Sequence, residues 1–313
     1  MVTGGTGFIG KALCCSLTER GDDVVVLSRG SSSSGACGGL GPRPKACRGA
    51  GKVEIATWTP EKAGEWSRIV DGADAIVHLA GAGVLDESWS PERMEMLRSS
   101  RIRSTELLAE AIAKAEKKPR VFVSSSAIGY YGIDTGDRVL EESAPPGNDF
   151  LATLVRDWEN AADAARAAGV RVTHPRIGLV VGRGGGMLEQ MLPAFKMFVG
   201  GPIGPGTQFM AWIHLVDTVR ALEHAIDTEL AGAFNVTAPE PTTMNEFAQT
   251  LGNALGRPSF FRVPSFAVKL GMGQRAEAVL SGQRAVPKTL VDSGFAFVFP
   301  DLPSALADIA AKP

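Results

Sequence analysis

Tyrosine is nearly missing: 313 residues hold two, Tyr130 and Tyr131, beside four cysteines and four histidines. Cys14, Cys15, Cys37 and Cys47 have neither the paired spacing of zinc ligands nor the density of a disulfide framework, and they imply thiols in a reducing compartment. His78, His174, His214 and His224 are scattered with no acid cluster beside them, so no metal site is legible. Charge of one sign is lacking too. Lys and Arg number 32 against 34 Asp and Glu, with no basic block, which excludes the electrostatic footprint of a nucleic-acid binder. No apolar run reaches the roughly 18 residues that a membrane-spanning helix needs. No lysine occurs between Lys118 and Lys196. These absences leave a soluble chain that acts on a small molecule, with a protein partner left open.

What is present points to an α/β protein. Apolar, β-branched runs at 24–27, 75–79, 121–124, 170–173 and 234–236 alternate with helical periodicity over 11–20, 100–115 and 151–168. Strand, helix, strand, repeated, predicts a Rossmann-type, doubly wound parallel sheet covered on both faces. A nucleotide-binding domain is expected over 1–181 plus about 211–236. A smaller C-terminal lobe then takes about 182–210 and 237–313, and its Phe295, Phe297 and Phe299 read as a strand before a closing helix. The stretch 30–51, rich in Gly, Ser and Pro, reads as a disordered surface insertion. Only Met1, Val2 and Thr3 precede Gly4, so the first strand looks clipped, by processing or by a late start. With the insertion, this suggests the cytoplasm or an organelle stroma or matrix, the chloroplast among them.

The segment Gly4-Gly5-Thr6-Gly7-Phe8-Ile9-Gly10 carries the chemistry. Between a strand and a helix, Gly4 permits the tight turn, Gly7 lets the backbone approach a pyrophosphate and Gly10 lets the helix pack close to the sheet. The second strand then selects the dinucleotide. An acid there would accept from the ribose 2′-hydroxyl of NAD. This strand instead ends in Ser28 and Arg29, whose donors suit the 2′-phosphate of NADP(H).

With these come Asp74-Ala75-Ile76-Val77-His78-Leu79-Ala80-Gly81, Ser124-Ser125-Ser126-Ala127, Trp212-Ile213-His214-Leu215-Val216-Asp217, and Phe234-Asn235-Val236 before Pro239-Glu240-Pro241-Thr242. Together they resemble an extended short-chain dehydrogenase/reductase. Trp89, Ser100 to Thr105, Gly129 to Gly132, Asp149 to Leu151, Asp157-Trp158-Glu159, Arg176-Ile177-Gly178 and Gly200 to Gly204 narrow the likeness to the atypical epimerase-family branch. That branch includes nucleoside-diphosphate-sugar epimerase-like proteins and cell- or plastid-division factors. The likeness runs from residue 1 to about 310, interrupted mainly by 30–51.

The resemblance implies that Gly4, Thr6, Gly7, Phe8, Ile9 and Gly10 meet the pyrophosphate, and Ser28 and Arg29 the adenosine phosphate. It sets Leu79, Ala80 and Gly81 beside the adenine-side ribose, Ser124 and Ser125 beside the nicotinamide, and Arg176 just past the sixth strand toward the substrate. Active members of the superfamily use Tyr-x-x-x-Lys, whose lysine lowers the tyrosine pKa. Here Asp134 and Thr135 follow the two tyrosines by four residues, and the expected positions fall on Phe150 and Leu154, or on Leu154 and Trp158. Two classes therefore stay open. One is an NADP(H)-dependent oxidoreductase or epimerase-like enzyme with Tyr131 or Tyr130 as substitute acid and Ser125 or Ser126 polarising a carbonyl. The other is a subunit that holds NADP(H) for structure, assembly or redox sensing.

Overall fold

The computed structural model describes residues 1–30 and 50–311. Most of the expected insertion at 30–51 therefore lies outside the described residues. Seven parallel strands form the main sheet: β1 (Val2–Thr3), β2 (Val24–Ser28), β3 (Val53–Thr57), β4 (Ala75–His78), β5 (Val121–Ser124), β6 (Arg171–Ile177) and β7 (Gly232–Val236). Their spatial order is 3-2-1-4-5-6-7, with Ser126–Ala127 pairing beside β6 as a short eighth strand. The order reverses at β1, and that reversal opens a crevice at the carboxyl ends of the strands.

Side-chain alternation decides which residues reach which face. Val77, Val121 and Val123 point into a core with Leu13, Leu17 and Leu222, whereas Ile76 and Phe122 point the other way, toward Trp66, Leu108 and Ile112. The first face is covered by α1 (Phe8–Glu19) and the second by α3 (Ile102–Lys114), which α2 (Pro91–Ser99) precedes. The periodic stretch expected as one helix over 151–168 is two, α4 (Phe150–Asn160) and α5 (Asp163–Ala167). β6 runs further than its apolar start suggests, because Pro175 and Arg176 continue the ladder against Phe234 and Asn235.

The remaining helices are α6 (Gly186–Lys196), α7 (Leu215–Asp227), α8 (Met244–Leu255), α9 (Ser265–Met272) and three short ones, the last being Leu302–Ala310. A separate core of Leu188, Phe195, Trp212, Phe247 and Leu306 fills the C-terminal part. No strand forms at Phe295, Phe297 and Phe299. The amides of Val298 and Phe299 instead donate to the two oxygens of the fully buried Asp217 carboxylate on α7, each at 2.8 Å. No described helix is long and apolar enough to cross a membrane.

All four histidines sit in surroundings that disfavour their charge. His78, at the end of β4, is fully buried between Thr3 (2.6 Å) and Ser104 (3.1 Å), and desolvation, reinforced by Arg101, brings its pKa down to about 3. In the unfolded chain the same imidazole takes a proton near pH 6.5. Between those values the unfolded state binds more protons, so the His78 contribution is complete above pH 6.5 and is lost on acidification toward pH 3. Urea unfolding is expected to show stability falling by about 1.4 kcal/mol per pH unit below 6.5 from this residue, and a shallower slope in His78→Asn. An unchanged slope in the variant would assign the acid sensitivity elsewhere.

Candidate functional site

The glycine turn closes as the spacing requires. Gly4 has φ +69°, and Gly7 N–H donates to the Gly4 carbonyl at 2.9 Å. A Cβ on Gly10 would stand 2.1 Å from the Gly4 oxygen, and one on Gly4 would stand 2.7 Å from the carbonyl carbon of Leu79. The turn, the first helix and the end of β4 therefore touch backbone to backbone, which only glycines at these two places permit.

Gly7 is the N-cap of α1 and offers no side-chain acceptor, and no acid occupies the first turn. The first amide with an intrahelical acceptor is Lys11, bonded to the Gly7 carbonyl, so the amides of Phe8, Ile9 and Gly10 point off the helix end. With the helix dipole behind them, they form a cradle for an anion. Thr6 and Gly7 are exposed at its lip. The Phe8 ring packs on Gly182, Gly185 and the first residue of α6, Gly186, where an added Cβ would stand 3.1, 2.5 and 3.3 Å from it. Those glycines are a close-approach joint between the sheet and the C-terminal part.

Ser28 ends β2 and its carbonyl accepts from Trp58, while Arg29 is exposed just beyond it. Leu79, Ala80 and Gly81 leave β4 toward the same crevice, with Leu79 and Ala80 half-buried and Gly81 exposed. Ser124 ends β5, and its hydroxyl is buried with no hydrogen-bond partner among the described residues. An orphaned hydroxyl at the carboxyl edge of a sheet suits a polar ligand atom. Together with the cradle at α1, it is the observation by which the chain fits a dinucleotide.

The residues meant for chemistry are more tightly bound than their sequence suggests. Ser125 is buried, its amide bonded to the His78 carbonyl. Ser126 donates to Glu159 at 2.6 Å. Arg176 lies within β6, not after it, and is 4 % exposed. It holds both oxygens of Glu159 at 2.9 and 3.0 Å, donates to the Tyr131 hydroxyl at 3.1 Å and stacks 3.4 Å over the Tyr130 ring. Burial alone would lower its pKa, but the Glu159 carboxylate and the Tyr131 hydroxyl raise it overall. Tyr131 in turn donates to Asn235 Oδ1 at 2.7 Å and is 3 % exposed. Burial pushes its phenol pKa up, the reverse of what a proton donor at neutral pH requires.

Glu159 and Asn235 complete this network, yet sequence reasoning had given neither a role. Both stand inside segments that carry the family likeness, and that was the signal available. Among the described residues no group of three or more metal-ligating side chains occurs.

The chain matches the NAD dependent epimerase/dehydratase family over residues 1–237 and a domain of unknown function over residues 263–309. It is 39% identical to the chloroplastic epimerase family protein SDR39U1 homolog of Arabidopsis thaliana, over 98% of this chain and 85% of that protein. It is 38% identical to the epimerase family protein ML0860 of Mycobacterium leprae, over 100% and 95%. The crystal structure of human epimerase family protein SDR39U1 (isoform 2) with NADPH superimposes with a TM-score of 0.83 at 35% identity, covering 99% of this chain and 98% of that one.

Proposed function

Because the chain belongs to the NAD dependent epimerase/dehydratase family, we propose that it binds NADP(H) in the crevice at the carboxyl ends of the strands and acts there as an epimerase- or reductase-like protein on a small molecule. The uncapped start of α1, held against β1 by Gly4 and Gly10, carries this reading. In it, the amides of Phe8, Ile9 and Gly10 meet the pyrophosphate. Leu79, Ala80 and Gly81 border a ribose. Ser28 and Arg29 meet the 2′-phosphate, as expected of a chain similar to a human protein crystallised with NADPH. Ser124 and Ser125 stand nearest the nicotinamide, with Ser125 the hydroxyl for a substrate carbonyl. The nucleotide supplies or takes up hydride when bound.

The residues around Arg176 support a second reading. With Tyr131 bonded to Asn235 and its ionisation suppressed, the geometry favours a scaffold role for this phenol over proton transfer. A protein that holds NADP(H) for structure, assembly or redox sensing would keep the cradle and dispense with the acid. Bound nucleotide would then stabilise the fold by mass action. The likeness to a chloroplastic relative supports an organelle as the compartment for either reading.

Parallel titration with NADPH and NADH, followed by nicotinamide fluorescence, tests the cofactor. Wild-type protein is expected to prefer NADPH. Arg29→Ala is expected to lose about tenfold to a hundredfold in NADPH affinity and little for NADH, the value of a charge-assisted hydrogen bond or two. Binding of neither dinucleotide would sink the assignment. A carbonyl and nucleotide-sugar panel then separates the readings: net oxidation of NADPH or epimerisation of a sugar without net change in the nucleotide supports the enzyme, and binding with neither supports the scaffold.

A further inference from the structure

Large apolar side chains that reach solvent are ordinary when scattered, but a group of them together marks a surface that something else covers. Fourteen such side chains are exposed among the described residues, and eight of them fall in two short segments, 197–199 and 260–270. The backbone joins the two segments. Phe261 N–H donates to the Gly200 carbonyl at 3.2 Å, Val263 N–H to the Pro202 carbonyl at 2.9 Å and Gly204 N–H to the Val263 carbonyl at 2.8 Å. α9 follows directly, and its Phe266 and Leu270, 74% and 87% exposed, stand one turn apart on the same side of the helix.

Phe198 is an independent sign of the same surface. α6 ends in a Schellman turn, in which Phe198 N–H donates to the Phe195 carbonyl and Val199 N–H to the Ala194 carbonyl, each at 3.0 Å. The left-handed position of that turn ordinarily holds glycine, because a side chain there crowds the backbone. Phe198 occupies it at φ +65°, alone among the described residues other than glycine. Its ring is half exposed, with the Arg257 guanidinium 4.4 Å from the ring centre. Strain at an aromatic that buries so little belongs to a contact surface, not to a core.

Charge and backbone narrow what fits there. No Asp or Glu occurs over 190–216 or 247–276, whereas Lys196, Arg257, Arg262 and Lys269 are all exposed in these stretches. None of the four forms an ion pair among the described residues. A second copy of this face would therefore set cation against cation. The outer edge of the segment Phe260 to Val263 is open as well, since among the described residues no hydrogen bond reaches the backbone N–H or carbonyl of Phe260 or Arg262. In the hydrocarbon of a bilayer those groups would stay unsatisfied, whereas an extended peptide pairs with them.

We propose that the end of α6 and the segment 260–270 form a docking site for another protein, which adds to the open edge at Phe260 to Val263 an extended segment alternating acidic with large apolar residues. Its apolar side chains cover Phe198, Phe260 and Phe266, and its carboxylates meet Arg257, Arg262 and Lys269. The site does not depend on the dinucleotide, and it holds for either reading of the crevice.

A phage-displayed library of random peptides, selected on the whole protein and counter-selected on Phe266→Ser, tests this. The enriched peptides are expected to alternate Asp or Glu with Phe, Leu, Ile or Val, and a synthetic copy of one is expected to bind wild type in fluorescence polarisation. Lys269→Glu and Phe198→Gly should each weaken that peptide about tenfold or more, as the loss of a charge pair or an aromatic anchor does. Phe198→Gly should do so with an unfolding midpoint at or above that of wild type, because glycine suits the left-handed turn. That result separates a lost contact from a lost fold. N-methylation of alternate peptide amides should abolish binding, since the edge pairs through backbone. No enrichment over Phe266→Ser, or enriched peptides without acids, would overturn the proposal. Cosedimentation with anionic phospholipid vesicles that Phe266→Ser abolishes would make the face a membrane surface, and a concentration-dependent dimer that it abolishes would make it a self-contact; either overturns the proposal. NADPH affinity should be the same in all variants, and a fall would assign the face to the crevice and overturn the proposal too.

Discussion

Glu159→Gln is expected to lower the stability of the fold by about 3–5 kcal/mol, the cost of stranding a buried charge. The substitution keeps the shape of the side chain but leaves Arg176, 4 % exposed, without the carboxylate that holds two of its nitrogens. Arg176 cannot shed its charge, and the Tyr131 hydroxyl and the Glu142 carbonyl that remain are neutral. The loss should appear in urea unfolding as a lower midpoint at an unchanged slope. The double variant Glu159→Leu with Arg176→Met, which removes both charges and refills the space, should recover most of it. A single variant within about 1 kcal/mol of wild type would mean that water reaches the pair and that the network is not what fixes Tyr130, Tyr131 and Ser126.

Gly10→Ala should cost nucleotide binding more than any change of charge. Its methyl would lie 2.1 Å from the Gly4 oxygen and 2.7 Å from the Gly5 α-carbon, so the turn and the start of α1 must separate. The amides of Phe8, Ile9 and Gly10 then no longer converge, and affinity for NADPH and NADH alike is expected to fall more than a hundredfold in the fluorescence titration. The backbone shift should also cost roughly 1–3 kcal/mol of stability. Gly271→Ala is the control: a methyl there meets nothing within 4 Å, and the change should be neutral. A Gly10→Ala protein that bound within tenfold of wild type would show that the turn does not hold the phosphates.

The legible parts of the chain were those in which local chemistry and tertiary structure agree. Val121–Ser124 reads as a strand and is one, because four apolar or small residues buried on both faces leave little else for the segment to be. The glycine turn was equally clear, since each glycine answers a local steric demand. Long-range partners escaped detection. β3 mixes polar and apolar residues in Val53–Thr57 and is recognised by its pairing with β2, not by its composition. Arg176 was expected just past the sixth strand and toward the substrate, although Glu159 meets it from α4, a different element. Nothing in the spacing of the two residues tells an ion pair from two solvated charges.

Phe295, Phe297 and Phe299 failed as a strand for a related reason. Their alternation is that of a strand, but the backbone donors beside them are claimed by the carboxylate of Asp217. That carboxylate lies at 0% exposure on α7, which itself packs against the main sheet. It cannot release the two amides without leaving them and itself unsolvated. Fraying of the tail is therefore expected to cost the two charge-assisted bonds that tie it to α7. A defect introduced far down the chain thus loosens the platform on which the glycine turn stands, and the smaller lobe shares in the thermodynamic life of the crevice although it contributes no group to the cradle.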